Sequence, residues 1–322
     1  MSSRILKLTL AIALLMVSIE TAAEEIIVFY RPGFPDTMAP AQIFERAFEA
    51  HLVSCLDNKA IEKLQNEGGY TQLIAFDTFI ESEKIRTLRD RLQKLDPSTK
   101  IIIYIKTGDK AYEELECDEK NSVNFESGSY LLPAMQKAQM AISEGAILLD
   151  NGLSHHASKD GKALREYYAT YESSAKTLFE IVEADAQQLK KLLESGNHFV
   201  EKLLSQTKLL VKTAKYQTLG NNIRVGFQIA AVGISTLGPA MIKEGADIAI
   251  VLTESDPFNN EQRYSIRTNE KYSARKIYEF INTLIPLIRG GGDNIGAGLT
   301  CNAEPEKIIN ILKKMSIADI TR

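Results

Sequence analysis

The stretch Ile26-Ile27-Val28-Phe29-Tyr30, followed by Arg31-Pro32-Gly33-Phe34-Pro35-Asp36-Thr37, decides how this chain is read. An unbroken apolar run of this length describes a strand buried on both faces, as in a parallel sheet. Two prolines and a glycine then forbid regular structure at its end. A helix follows through Ile43, Phe44 and Ala47 at helical spacing. The pattern repeats. Leu73–Phe76 is a second short strand ending at Asp77, and Ile85–Leu95 is a charge-laced amphipathic helix stopped by Asp96-Pro97. Ile101–Ile105 is a third strand. Strands alternating with helices of this length predict an α/β protein with a parallel sheet and helical crossovers. Ligands of such sheets sit beyond the carboxyl ends of the strands, where both Asp36 and Asp77 fall.

Outward from this core, residues from about Tyr168 to Ala214 are rich in Leu, Lys, Glu and Gln and read as a helical connector. The expected domain boundary lies within it, near Ser195-Gly196. Beyond it, Ile223–Ala231 and Ala246–Thr253 read as strands flanking a short helix, and Arg263–Thr268 as another strand. Ile277, Phe280, Ile281 and Leu284 repeat at helical spacing. A loop at Gly290-Gly291-Gly292, a short strand to Cys301 and a final helix through Ile308, Ile311 and Met315 complete the chain. The expected organisation is a parallel-sheet domain with its connector over 24–195 and a smaller α/β domain over 196–322. Residues 1–23 stand apart: Arg4 and Lys7, the apolar run Leu8–Ile19 and the small residues Thr21-Ala22-Ala23 occur in the order of a signal peptide. That predicts an exported protein, periplasmic or secreted; if the segment is not a signal, the chain stays cytoplasmic.

Composition excludes several classes. Of 322 residues, 44% are hydrophobic and 25% charged, and the formal net charge is −4. That balance builds a globular core and argues against broad nucleic-acid binding, which needs an extended basic face. A local pocket for a nucleotide-sized ligand stays compatible with it. The three cysteines, Cys55, Cys117 and Cys301, are too widely spaced for a disulfide scaffold or a CxxC zinc site. No run approaches the length of a transmembrane helix. No GxSxG, Walker or HExxH pattern occurs. Ser154-His155-His156 reads as a solvated loop.

The segments GADIAIVL (245–252), YSIRT (264–268) and GGGDNIGAG (290–298) together resemble the C-terminal substrate-binding domain of the DHH phosphoesterase superfamily, in its nanoRNase and oligoribonuclease-like branch. That domain carries a GGGHxxAAG-like motif and a strand arginine that bind a substrate phosphate. The resemblance assigns the substrate-binding role to Arg267, Gly290, Gly291, Gly292, Asp293 and Asn294, with Asp293 standing in place of the motif histidine and inverting the local charge. In the N-terminal half, FYRPGFPDT resembles the first metal-binding loop, with Asp36 matching its aspartate. Arg31 and Thr37 stand where the family has histidine and glycine. FDTF resembles the second motif through Asp77, and Asp150, after the run Ala146–Leu149, matches the fourth. The signature Asp-His-His should close the third strand ahead of a Lys-Thr-like pair. This chain has Ile103-Tyr104-Ile105-Lys106-Thr107 there.

Members of the family hold two divalent metals, manganese or magnesium, which activate a water and stabilise phosphoryl oxygens. With only Asp36, Asp77 and Asp150 left of the ligand set, and a cation at Arg31, no cofactor is expected here. The resemblance therefore implies a catalytically inactive protein that binds a small phosphorylated ligand or short oligonucleotide in an interdomain cleft, or serves as a scaffold. The alternative is an active metal-dependent phosphodiesterase or phosphatase on short oligonucleotides or other small phosphoesters, with a rebuilt site.

Overall fold

The structure is a computed structural model and describes residues 25–32, 34–55, 57–64, 70–76, 82–106, 117–125, 128–154, 156–219, 222–230, 234–256, 261–287, 289–292 and 294–321. The expected signal segment, 1–23, lies outside them, as do Asp77 and Asp293. The chain divides into two compact units, Met1–Val200 and Glu201–Arg322.

The first unit carries a five-stranded, wholly parallel sheet in the order β2-β1-β3-β4-β5. Its strands are β1 (Ile26–Tyr30), β2 (His51–Ser54), β3 (Gln72–Phe76), β4 (Lys100–Lys106) and β5 (Glu119–Val123). The central register aligns Val28 with Ile74 and Ile74 with Ile102. Alternate residues feed two separate cores. Ile26, Val28, Ile74, Phe76, Ile102 and Tyr104 pack under Ile43 and Phe44 of the helix Pro35–Phe48. Ile27, Phe29, Leu73, Ala75, Ile101 and Ile103 pack with Ile61 and Leu64 of the helix Asn58–Leu64 and with Leu88 and Leu92 of the helix Ser82–Leu95. Burial on both faces explains the continuous apolar runs in β1, β3 and β4.

Between the sheet and residue 213 the chain is helical but not one connector. Helices Leu131–Lys137, Glu144–Gly152, Lys159–Thr170, Ala175–Val182 and Ala186–Thr213 follow in turn. Ser143, Ser158 and Ser174 cap three of these, each accepting from a backbone N–H one turn on. Such caps satisfy donors that a helix start would otherwise leave unpaired, and they punctuate what composition alone reads as continuous.

The second unit holds a six-stranded mixed sheet in the order β10-β11-β9-β8-β7-β6. These are β6 (Lys215–Thr218), β7 (Arg224–Ile229), β8 (Ile248–Asp256), β9 (Glu261–Thr268), β10 (Arg289–Gly292) and β11 (Gly296–Cys301). Only β7 and β8 pair in parallel. One face packs Ile248, Ile250, Tyr264, Ile266, Leu299 and Cys301 against Ile277 and Ile281 of the helix Ala274–Leu284 and Ile308 of the helix Pro305–Leu312. The other face packs Ala249 and Val251 against Leu237 and Met241 of the helix Ile234–Lys243. Among the described residues, no helix is long and apolar enough to cross a membrane.

The glycine run corrects one expectation. Gly290, Gly291 and Gly292 form an edge strand paired antiparallel with Leu299, Gly298 and Ala297, not a loop. Their backbone amides lie in a sheet edge and do not form a cup around a ligand.

Candidate functional site

Strand order 2-1-3-4-5 places the topological switch point of the first sheet between β1 and β3, the crevice where doubly wound sheets bind ligands. The segment after β1 is built from its own side chains. Thr37 Oγ1 accepts from the Arg31 N–H at 3.1 Å and points its hydroxyl at the carbonyls of Arg31 and Phe34, both 3.2 Å away. The Arg31 guanidinium lies over the Phe34 ring, 3.8 Å from its centroid, a cation–π contact that holds the cation beside the loop. Asp36 is half-buried in the first turn of the helix Pro35–Phe48, where a carboxylate is stabilised by the exposed N–H groups. Thr37, which occupies a family glycine position, thus knots the loop. Sequence reasoning missed that role, for which a threonine seven residues after the end of β1 is the signal.

Near the ends of β3 and β4 the described side chains Phe76, Tyr104 and Ile105 are buried. Tyr104 is 2% exposed and Ile105 1% exposed. The Tyr104 ring stands 5.1 Å from Phe76, 6.3 Å from Phe44 and 6.5 Å from Tyr130, and Phe125 lies 4.7 Å from Tyr130. Burial, and then the charge of Glu119, push the Tyr104 hydroxyl well above its ordinary value, so it stays protonated. Of this cluster, Tyr104 belongs to the segment that the resemblance sets against the signature motif.

Asp150 sits on the helix Glu144–Gly152 and is 5% exposed. Its Oδ1 accepts from Ser129 Oγ at 2.6 Å and from the Leu132 N–H at 3.2 Å, and its Oδ2 accepts from the Ser129 N–H at 3.0 Å. The carboxylate therefore caps the start of the helix Leu131–Lys137, whose own N-cap residue, Tyr130, makes no side-chain capping hydrogen bond. Burial pushes its carboxyl above the ordinary value, against the pull of those hydrogen bonds.

Asp77 lies outside the described residues, and the described ones that the resemblance sets against the metal ligands do not converge on one point as a pair of divalent cations requires. Such a centre needs several carboxylates and imidazoles converging on one point. Here Tyr104 and Ile105 are core, Asp150 is engaged as a cap, and Arg31 brings positive charge to the loop. Among the described residues no three His, Cys, Asp or Glu side chains group in a way that would hold a metal.

The second unit offers a different chemistry. On β9, Arg267 pairs across to Ala249 on one side and to Gly296 on the other. It is half-buried, and its Nη1 donates to the Ile266 carbonyl at 3.0 Å. A methyl group at Gly238, on the helix Ile234–Lys243, would fall 2.7 Å from Arg267 Cγ. One at Gly296 would overlap Nη1 and lie 2.7 Å from Cζ. The guanidinium therefore extends over β11. The next pair on that face, Gly298 and Gly291, is bare among the described residues: a methyl at Gly291 would meet none of their atoms within 4 Å. Gly290 instead faces the Tyr278 ring, and Gly292 lies on the backbone of Gly296 and Ala297. Asn294 is turned to the fold. Its Oδ1 accepts from Ser273 Oγ at 2.8 Å and its carbonyl accepts from the Ala274 N–H at 3.1 Å. Ser273 in turn caps the helix Ala274–Leu284.

This architecture is found in solved structures. RecJ from Thermus thermophilus in complex with Mn2+ matches with a TM-score of 0.53 and 11% identity, over 91% of this chain and 52% of that one. The DHH domain of a member of a family of ribosomal proteins gives 0.54 and 11%, over 91% and 88%. Exonuclease RecJ bound to manganese gives 0.50 and 10%, over 92% and 94%. The chain thus spans about half the length of the Thermus RecJ. No protein-family model and no curated protein matches the sequence. What the likeness establishes is the fold: an α/β architecture like that of these RecJ and DHH-domain structures.

Proposed function

We propose that this chain is a DHH-fold protein that binds a small phosphorylated ligand, a nucleotide or short oligonucleotide, without hydrolysing it. One observation carries the reading. Where the resemblance expects histidines and aspartate to close the third strand, Tyr104 and Ile105 are buried in an aromatic and aliphatic core. A water activated between two metals has no ligand set there. Phosphate recognition has a separate basis in Arg267, whose planar, permanently charged fork suits phosphate oxygens.

The test pairs calorimetry with turnover. Titration of adenosine monophosphate into the full chain is expected to give binding that Arg267→Ala abolishes. Manganese-supplemented assays on short oligonucleotides and cyclic dinucleotides are expected to give no product. Turnover that disappears in Asp36→Ala or Asp77→Ala would overturn the reading in favour of an active phosphodiesterase. Absence of binding in the wild type would leave the scaffold role.

A further inference from the structure

We propose that Gly238 and Gly296 are positioning residues for Arg267, and that the slot they form sets how tightly the chain holds a phosphate group. The proposal rests on the phosphate-binding reading above and adds to it what holds the arginine.

The two glycines grip different parts of one side chain. Gly238 meets the stem, with Arg267 Cγ at 2.7 Å and Cβ at 3.3 Å from where its own Cβ would stand. Gly296 meets the head: a Cβ there would overlap Nη1 and crowd Cζ at 2.7 Å and Nε at 3.1 Å. The arginine thus passes under the helix Ile234–Lys243 and comes to rest over β11, at a height no residue with a side chain at 296 would allow. The hydrogen bond from Nη1 to the Ile266 carbonyl, 3.0 Å, ties the head down. Beyond it, on the same face, lie Ser265, Gly298 and Gly291, paired in register across three strands. A methyl at Gly298 would meet only the Tyr264 carbonyl, at 3.8 Å. Among the described residues, a phosphate group approaching from that side meets backbone, the small Ser265 side chain and the guanidinium. An arginine whose head is already fixed loses less rotamer freedom when it binds, which is the usual origin of affinity by preorganisation.

The same distances separate a positioning role from a structural one. At Gly238 the obstructing atoms belong to the anchored base of the side chain, so an added methyl strains helix against strand. At Gly296 they belong to the far end of the side chain, so an added methyl displaces the guanidinium from its tether and leaves the backbone intact.

The experiment uses the full chain, with inorganic phosphate as the probe and the NMR resonance of Arg267 Nε–Hε as the local readout. Gly296→Ala is expected to shift that resonance without ligand, to weaken phosphate binding about tenfold, as loss of a charge-assisted hydrogen bond does, and to change Tm by no more than about 2 °C. In an Arg267→Lys background, Gly296→Ala is expected to change phosphate affinity no further, because the two residues act as one unit. An unmoved resonance in Gly296→Ala overturns the slot. An equal loss of affinity in both backgrounds overturns it as well, since that is the mark of a general structural effect. If the wild type gives no phosphate response while the resonance still moves, the phosphate reading fails and the slot geometry stands.

Discussion

The carboxyl end of the first sheet and the open face of the second treat space in opposite ways. Phe76, Tyr104 and Tyr130 fill the former with rings, whereas Gly291, Gly296 and Gly298 keep the latter bare. Filling is self-explanatory: each buried aromatic side chain contributes to stability through the area it removes from water. Bareness is not. Glycine in a strand interior costs roughly 0.5–1 kcal/mol relative to alanine, and glycines at 291 and 298 return no packing contact for it. A fold that keeps such a face beside a fixed arginine retains it for something other than stability. The first region is packed as core, and the second is left open among the described residues.

The sharpest way to break that contrast is at Tyr104. If the ring is core, Tyr104→Ala lowers the unfolding free energy by about 3–5 kcal/mol, the range for large aromatic truncations, as read by urea denaturation. A loss below about 1 kcal/mol would mean that the carboxyl end of β4 tolerates change as a ligand-binding surface does. Asp150 comes next. Both its oxygens accept from fixed donors, so in Asp150→Asn the new amide nitrogen faces a donor whichever way it is turned. The expected loss is about 1–3 kcal/mol. Its raised carboxyl value adds a pH signature. The folded state holds the proton more tightly than the unfolded chain, so this group's stabilisation is complete below the ordinary value near ~3.9 and is lost as pH rises through the raised one. Asp150→Asn is expected to remove that component from the stability–pH curve; an unchanged curve would show that Asp150 is not its source. In the second unit, Gly238→Ala sets a clash of about 1–3 kcal/mol against a helix-propensity gain of up to ~1 kcal/mol. A net loss of about 1 kcal/mol is expected, and net stabilisation would show that the stem of Arg267 yields.

The two regions were unequally legible in the sequence. IIVFY, LIAF and IIIYI announce β1, β3 and β4 because a strand covered on both faces leaves no room for polar residues. β2, β5 and β6 escaped notice: EKNSV and KYQT belong to edge strands, largely exposed, whose polar residues resemble loop. The run RGGG escaped for a different reason. Glycine has low strand propensity, and only pairing with β11 makes it a strand. Asp36 and Asp77 were placed by strand ends and by the resemblance of FYRPGFPDT and FDTF to family motifs. Asp150 also looked like a candidate ligand, because an apolar run before an aspartate is common to strand ends and to amphipathic helices. Its capping partners, Ser129 and Leu132, lie 21 and 18 residues away in the chain and no periodicity connects them. Arg267 was visible through its motif, but Gly238 was not. The slot depends on a helix packing across a sheet and on strand register, both of which are tertiary facts.

The smallest effect, and the finest test of the open face, lies at Asp293. It follows Gly292 directly in the sequence. If its negative charge acts at the site, it opposes an incoming phosphate by simple repulsion. Solvent-exposed charge pairs are worth about 0.2–1 kcal/mol, which corresponds to an affinity change of at most about fivefold. Asp293→Asn is therefore expected to raise affinity for inorganic phosphate two- to fivefold, roughly, in calorimetry at low salt. At physiological ionic strength, where screening sets in beyond about 8 Å, the gain is expected to shrink. Equal affinity in wild type and variant would remove Asp293 from the site. A gain that persists undiminished at 1 M salt, where the screening length falls to about 3 Å, would trace to altered geometry in the link between β10 and β11, because a charge effect of that origin does not survive such screening.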